Sequence, residues 1–286
     1  MSPNIPKSDE EWAKHLISAH RAMPNMTPIV FADYRTAEGL NSYEVLAQVL
    51  DSREGKNLAV LDLACGDGFL AGVCLNRLGP GSTWLGVDMA DSEIERARRK
   101  WTDPRAQFAC EKAQKLAIAS ESLDFVLCHL AFMLMLPVGP VVAEIQRVLK
   151  PGGIFAAVLV GPRTPDTLVG EFYQLVGKFL KEEYPNIAGV KTGDERVKSP
   201  EGLLQLFSPE KGFSGEVAVV DFELCVNSTL DGVWEFFKDT YLIGMLPEEG
   251  KAKLRGEINR LLEGKCDREG RVALKYPMRK IQVERV

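Results

Sequence analysis

Val60-Leu61-Asp62-Leu63-Ala64-Cys65-Gly66-Asp67-Gly68-Phe69-Leu70 opens as an apolar run, turns through two glycines one residue apart, and continues apolar. The pattern predicts a buried parallel strand, a tight turn and the first turn of a helix. Glycine suits that turn because a residue without Cβ takes φ > 0 freely and lets a ligand approach the backbone. The helix start offers unpaired N–H groups and the positive end of a dipole. Asp62 falls at the strand end, where it can accept hydrogen bonds from a cationic or hydroxylated ligand.

Outward from this turn the chain alternates strand and helix. Strands are expected at residues 58–64, 83–88, 106–110, 123–129 and 154–160, with helices at 69–78, 92–101 and 138–149. Asp91 or Ser92 is the expected cap of the second of these helices. Continuous apolar strands of this kind suit a parallel sheet covered on both faces. Before the core, residues 1–10 are polar and expected to be mobile. A helix follows at 11–23, with Trp12, Leu16, Ile17 and Ala19 on its apolar face, and Asn41 or Ser42 caps another that runs through Leu50. His15 and His20 are expected at the surface of the first helix.

After Gly161 the texture changes. A helix is expected at 167–183, a loop at 185–199, and a short helix from Ser199 and Pro200 to Leu206. A strand at 216–226, helices at 230–244 and 247–262, and a strand at 272–283 complete the chain. Strand, helices, strand predicts an antiparallel hairpin at one sheet edge, spread apart by a helical insertion. No linker composition marks a second domain. The expected organisation is one domain: a cap over 1–57, a cofactor-binding core over 58–160, and lid helices with the last two strands over 161–286.

The 286 residues carry a formal charge of -5, with 45% hydrophobic and 26% charged residues. That balance fits a globular protein and disfavours a nucleic-acid or anionic-membrane partner. The six cysteines show no metal-ligand spacing and read as free thiols of a reducing compartment. The N-terminus has no secretory pattern and no apolar run is long enough to span a membrane, so a cytoplasmic protein is expected.

Two nucleotide readings compete at the glycine turn. The G-x-G-x-x-G fingerprint of nicotinamide-dependent oxidoreductases is met by Gly66 and Gly68, with Ala71 in the third position. Asp62, four residues before Gly66, is not required by that fingerprint. Asp88, at the end of the second strand, suits the ribose hydroxyls of either ligand.

Four segments in order resemble one family. Asp62-Leu63-Ala64-Cys65-Gly66-Asp67-Gly68, then Asp88, then Ser122-Leu123-Asp124-Phe125-Val126, then Leu149-Lys150-Pro151-Gly152-Gly153 look like a class I S-adenosylmethionine-dependent methyltransferase over about residues 58–160. The resemblance implies a Rossmann-like, doubly wound α/β fold with seven strands, the seventh antiparallel, an N-terminal helical cap and a C-terminal helical insertion. It implies S-adenosyl-L-methionine as cofactor. Asp62 would hold the methionine ammonium, with backbone of Ala64 and Gly66 lining the methionine moiety; Cys65 and Gly68 would also bind the cofactor, and Cys128 would contribute backbone to the methionine part. Asp88 would bind the ribose, Met89 would pack on the adenine, and Ala113 and Gln114 would meet its edge. Lys112 stands where the family often carries aspartate, and Ala64 where many members carry glycine.

His129 follows the fourth strand at the carboxyl edge, where ligands bind in open α/β sheets, and is the candidate base if the acceptor needs deprotonation. Tyr34 is a second candidate on the N-terminal cap. Phe132, Met133 and Met135, with Trp234, Phe236, Phe237, Tyr241, Leu242 and Met245, are candidate walls of an apolar acceptor pocket or core packing. The implied function is methyl transfer to oxygen, nitrogen or carbon of a small, fairly apolar metabolite, with biosynthetic tailoring as a family-level expectation. The rivals are a methyltransferase-like protein that binds the cofactor without methylating, for example a cyclase, and an NAD-dependent oxidoreductase.

Overall fold

The computed structural model describes residues 6, 8–24, 26–185, 193–238 and 240–286. Of the expected N-terminal tail, residues 1–5 and 7 lie outside these, as do residues 186–192 of the expected loop at 185–199.

Seven strands form one sheet: β1 (Ala59–Leu63), β2 (Thr83–Asp88), β3 (Ala106–Cys110), β4 (Leu123–His129), β5 (Leu149–Val160), β6 (Ala218–Thr229) and β7 (Arg271–Glu284), in the order β3-β2-β1-β4-β5-β7-β6. The first five pair in parallel, and β7 pairs antiparallel with both β5 and β6. This is the doubly wound α/β sheet expected, with its antiparallel seventh strand. Strand order reverses between β1 and β4, which opens a crevice at their carboxyl ends, the place where open α/β sheets bind ligands.

The parallel strands are buried because helices cover both faces. One core cluster holds Val60, Trp84, Phe125 and Val158, and the other holds Leu61, Val87, Val126 and Phe155. Alternate residues of one strand therefore feed opposite layers. At the amino ends, Asp124 accepts from the amide of Ala59 at 2.8 Å and from Lys150 Nζ at 2.9 Å. One carboxylate thus staples β1, β4 and β5 in register. Asp124 belonged to the recognised sequence pattern, and its work is structural.

The helices in chain order are α1 (Asp9–Ala22), α2 (Met26–Phe31), α3 (Ser42–Ala47), α4 (Phe69–Cys74), α5 (Asp91–Lys100), α6 (Val138–Val148), α7 (Leu168–Glu183), α8 (Pro200–Leu206), α9 (Leu230–Phe237) and α10 (Glu248–Glu263). α1 begins earlier than the expected polar tail allowed, because Ser8 caps it by accepting from the amide of Glu11. Asn41 and Glu44 form a capping box at α3. At α5 neither expected residue is the cap: Ala90 holds that position without a side-chain bond, and Asp91 is the first helical residue.

The expected helices at 69–78 and 230–244 are shorter. Each gives way to a 3₁₀ turn, at Leu75–Arg77 and Ile243–Met245. The outer strands β6 and β7 run past their expected ends, since their pairing from Ala218↔Gln282 to Thr229↔Arg271 extends the ladder beyond the apolar stretch. α9 and α10 lie between the two strands in the chain, as the sequence pattern predicted, while the strands themselves pair directly rather than being spread apart.

Candidate active site

A cavity of about 450 Å³ lies over the carboxyl ends of β1, β2 and β4, roofed by α1. The chain turns sharply after two of these strands. Ala64 after β1 has φ +60° and Leu130 after β4 has φ +53°, both in the left-handed region without being glycine. Each such residue costs on the order of 1–3 kcal/mol. Amide pairing across the sheet holds them there: Cys65 donates to the Val87 carbonyl at 2.9 Å and Leu130 to the Val158 carbonyl at 2.8 Å. Both residues line the cavity.

Asp62 and Asp88 stand near the carboxyl ends of adjacent strands, Asp62 facing Gly86, two residues before Asp88. Asp62 is 1% exposed, and its Oδ2 has no hydrogen-bond partner among the described residues. Burial, then the nearby carboxylates of Asp88 and Asp67, push its pKa well above the ordinary range. Asp88 is anchored differently. Its Oδ2 accepts from the Gly66 amide at 3.0 Å and its Oδ1 from the Ala90 amide at 2.9 Å. Burial raises its pKa, and these amide bonds oppose the rise. Asp67 is neutralised by Lys100 at 2.6 Å. A positively charged group beside Asp62 would satisfy its lone oxygen and relieve the repulsion between the carboxylates.

The two glycines of the turn do different work. Gly66 has φ +55°, and a Cβ built there meets nothing within 4 Å, so it borders open cavity. Gly68 does not line the cavity. A Cβ there would stand 2.8 Å from both Phe108 and Trp101, and one on Gly72 would collide with Trp101 as well. Trp101 lies along this side of the turn and donates its indole N–H to the Asp67 carbonyl at 3.1 Å. Gly68, expected among the cofactor-binding residues, instead stands outside the cavity lining and makes room for an indole.

Most of the other expected cofactor contacts do border the cavity: Ala64, Cys65, Met89, Ala113 and Gln114. Gln114 is fixed by donating Nε2 to the Leu136 carbonyl at 3.0 Å. Cys128 does not border it; its thiol is buried in the layer on the opposite face. Tyr34 does not reach it either. Its ring packs on Phe236, 5.1 Å between centroids, because the segment after α2 joins the aromatic cluster of the insertion. Of the candidate pocket walls only Met135 and Tyr241 line the cavity. Phe132 packs with Phe155 and Phe207, and Trp234, Phe236, Phe237 and Met245 are core.

His129 is in the cavity wall, 7% exposed. Its Nε2 lies 2.9 Å from Ser42 Oγ, and its Nδ1 is buried without a partner among the described residues. Tyr43 stacks on the ring, with 3.6 Å between centroids. Burial lowers the imidazole pKa to about 3, so the ring is neutral at physiological pH.

Sequence reasoning missed His20, expected at the surface. It lines the cavity with Trp12 and Leu16. The signal was present in the spacing, since positions 12, 16 and 20 fall on one stripe of a helix.

The donor set fits S-adenosylmethionine. An unsatisfied buried carboxylate oxygen suits an ammonium, Asp88 suits a ribose diol, an open face at Gly66 admits an amino-acid tail, and apolar residues around Met89 suit a flat base. Residues 61–157 match the family model described as a methyltransferase domain. The malonyl-[acyl-carrier protein] O-methyltransferase of Acetivibrio thermocellus is 28% identical over 142 residues, which is 49% of this chain and 49% of that protein. The chain spans about half the length of the curated relatives it matches in this way. Among solved structures, the YcgJ protein of Bacillus subtilis aligns with a TM-score of 0.57 at 17% identity, over 84% of this chain and 97% of its own. The [4+2]-cyclase SpnF aligns with a TM-score of 0.58 at 16% identity, over 99% of this chain and 98% of its own. These two share the fold.

Proposed function

We propose, on the premise that the core belongs to the class I S-adenosylmethionine-dependent methyltransferases, that this protein methylates a small, fairly apolar acceptor held beneath α1. The methyltransferase-domain match over residues 61–157 supports that family, and with it S-adenosylmethionine as the cofactor. The observation that carries the proposal is the unpartnered Asp62 oxygen, buried in the cavity wall beside the open face of Gly66. A nicotinamide cofactor would bring no ammonium donor to that carboxylate, since its pyridinium nitrogen carries no hydrogen, whereas the amino-acid end of S-adenosylmethionine does.

In this reading Asp62, Ala64, Cys65 and Gly66 hold the methionine part, Asp88 the ribose, and Met89, Ala113 and Gln114 the adenine. When bound, the cofactor supplies a methyl carbon already activated by a positively charged sulfur. The chain's own task is to align the acceptor and exclude water. His129 Nε2 shares a hydrogen bond with Ser42 Oγ, and in the tautomer that donates from Nε2 the Nδ1 lone pair is left for the acceptor. An imidazole this hard to protonate orients a nucleophile better than it removes a proton. That favours an acceptor whose attacking nitrogen or carbon is already free of an acidic hydrogen, with oxygen acceptors next. Tyr34, packed in the aromatic cluster, has no part in this reading. One domain, with the cap, core and lid boundaries given above, is part of the same proposal. So is a cytoplasmic setting, which the free state of all six cysteines supports.

A second reading keeps the cofactor and replaces methyl transfer by another reaction of an enclosed apolar substrate, such as a cyclisation. The weak basicity of His129 favours it, because such a step needs no proton acceptor. Calorimetry with S-adenosylhomocysteine and NAD, followed by transfer of a labelled methyl group to candidate acceptors, separates the readings. Binding of NAD alone would overturn the proposal. Tight binding of S-adenosylhomocysteine with product formed from the native substrate but unlabelled would move it to the second reading.

A further inference from the structure

One carboxylate of the cavity has no role in the reading above. Glu93, in the first turn of α5, is 1% exposed, and neither of its oxygens has a hydrogen-bond donor among the described residues. Two basic side chains stand at ion-pair distance, His20 through Nδ1 and Arg96 through Nη1, each 3.5 Å from Oε1. The other nitrogen of His20, Nε2, lies 2.9 Å from the hydroxyl of Tyr241. His20 belongs to α1 and Tyr241 to the insertion between α9 and α10, so a chain of three side chains joins the roof, the insertion and the core. All three line the cavity, on the side of Asp88.

We propose that His20, gripped between Glu93 and Tyr241, is a clasp that closes α1 and the insertion over the bound cofactor and sets how long it stays. The proposal rests on S-adenosylmethionine occupying this cavity. Each turnover must load one cofactor and release its demethylated product, and the cavity lies under α1. The roof therefore has to part from the core, and contacts that break in each cycle belong to the weakly held parts of a fold. Tyr241 is the joint. Its ring lies edge-on to Trp12 at 6.4 Å and tilted to His20 at 6.1 Å, two positions on one stripe of α1. Opening returns Glu93 to water, and closing buries it against His20.

A buried carboxylate needs a cation, so the clasp is tightest with His20 protonated. Burial works against the imidazolium, but Glu93 and Asp88 outweigh it and raise its pKa. The groups facing the ring are Glu93 and Arg96 from α5, Asp88 from β2 and the Tyr241 hydroxyl from the insertion. Of these Arg96 alone opposes the charge. The grip is present at low pH and is lost as pH rises through the elevated pKa of His20.

The test is release of S-adenosylhomocysteine from the full chain, followed by stopped-flow tryptophan fluorescence, with Trp12 in the roof as reporter. Tyr241→Phe keeps the ring and removes the hydroxyl; His20→Gln keeps a polar side chain without the charge. Each is expected to speed release by roughly threefold to tenfold, the worth of one hydrogen bond, with association nearly unchanged. The double variant should release no faster than the faster single one, because both cut the same chain. Wild-type release should quicken with rising pH, and His20→Gln should lose that dependence. As an independent readout, α1 amides of the wild type should exchange hydrogen more slowly with S-adenosylhomocysteine bound. Wild-type release rates in both variants, or α1 exchange indifferent to ligand, would overturn the clasp while leaving the cofactor site intact. No binding to the wild type would overturn both.

Discussion

The Asp88 carboxylate accepts from the amide of Gly66 at 3.0 Å, tying the end of β2 to the turn that follows β1. Asp62, near the end of the adjacent strand β1, is left with an oxygen that nothing among the described residues satisfies. One aspartate shapes the turn; the other waits for a cation. Asp62→Asn is therefore expected to stabilise the ligand-free protein, because it replaces a carboxyl that burial penalises when charged and holds protonated otherwise. The same change should weaken S-adenosylhomocysteine binding by about tenfold or more, the loss of a charge-assisted hydrogen bond of roughly 1.5–3 kcal/mol. Thermal unfolding without ligand and calorimetry with it check the two halves.

Ligand binding should release a proton at Asp62. Its pKa is raised in the empty cavity by burial and by Asp88 and Asp67, and an ammonium beside it would bring the pKa down. Calorimetry in buffers of different ionisation enthalpy reads the proton directly. Asp62→Asn should abolish the buffer dependence.

The two turn glycines should separate fold from function. Gly66→Ala adds strain of about 1–2 kcal/mol at positive φ and puts a methyl group into the cavity, so cofactor affinity should fall sharply. Gly68→Ala adds similar strain and drives Cβ against Trp101 and Phe108. It should lower the unfolding midpoint further, and the folded fraction should bind with near-normal affinity. Binding and unfolding of both variants test the contrast.

His129 should make stability depend on pH in a defined direction. Its pKa is 6.5 in an ordinary setting and about 3 when folded. Below 6.5 the unfolded chain binds the extra proton, so the folded state loses roughly 1.4 kcal/mol per pH unit from this group down to its folded pKa. Other groups add their own slopes, so the test is a difference. His129→Asn should lose less stability than the wild type between about pH 6.5 and 4.5. The same variant should lower turnover more than cofactor affinity.

Removing the staple at the opposite end of the sheet should leave chemistry alone. Asp124→Ala strands the Ala59 amide and Lys150, at a cost of about 1–3 kcal/mol. Denaturant unfolding should show the loss, and cofactor affinity of the folded protein should be unchanged.

That Asp62, Gly66 and Asp88 border one cavity was legible because strand end, turn and next strand end lie in one supersecondary unit. The antiparallel edge hairpin was legible for the same reason, as two alternating runs flanking helices. Gly68 was misread because its partner, Trp101, is distant in sequence, and only packing reveals that the space left by the missing Cβ is already filled. Tyr34 was misread because an aromatic on a cap points wherever the tertiary structure has a hydrophobic gap, here the side of Phe236. His20 was missed because a lone histidine on an amphipathic helix carries no sign of what opposes it; Glu93 and Tyr241 come from two other parts of the chain.

The pairing Thr229↔Arg271 has a practical meaning. The chain leaves β6 and re-enters β7 at facing positions of one ladder, so everything between them is a cassette with fixed terminals. Its solvent-facing positions can be exchanged while the ladder holds its two ends together, whereas Tyr241 and the core residues Trp234, Phe236 and Phe237 anchor it to the rest of the molecule.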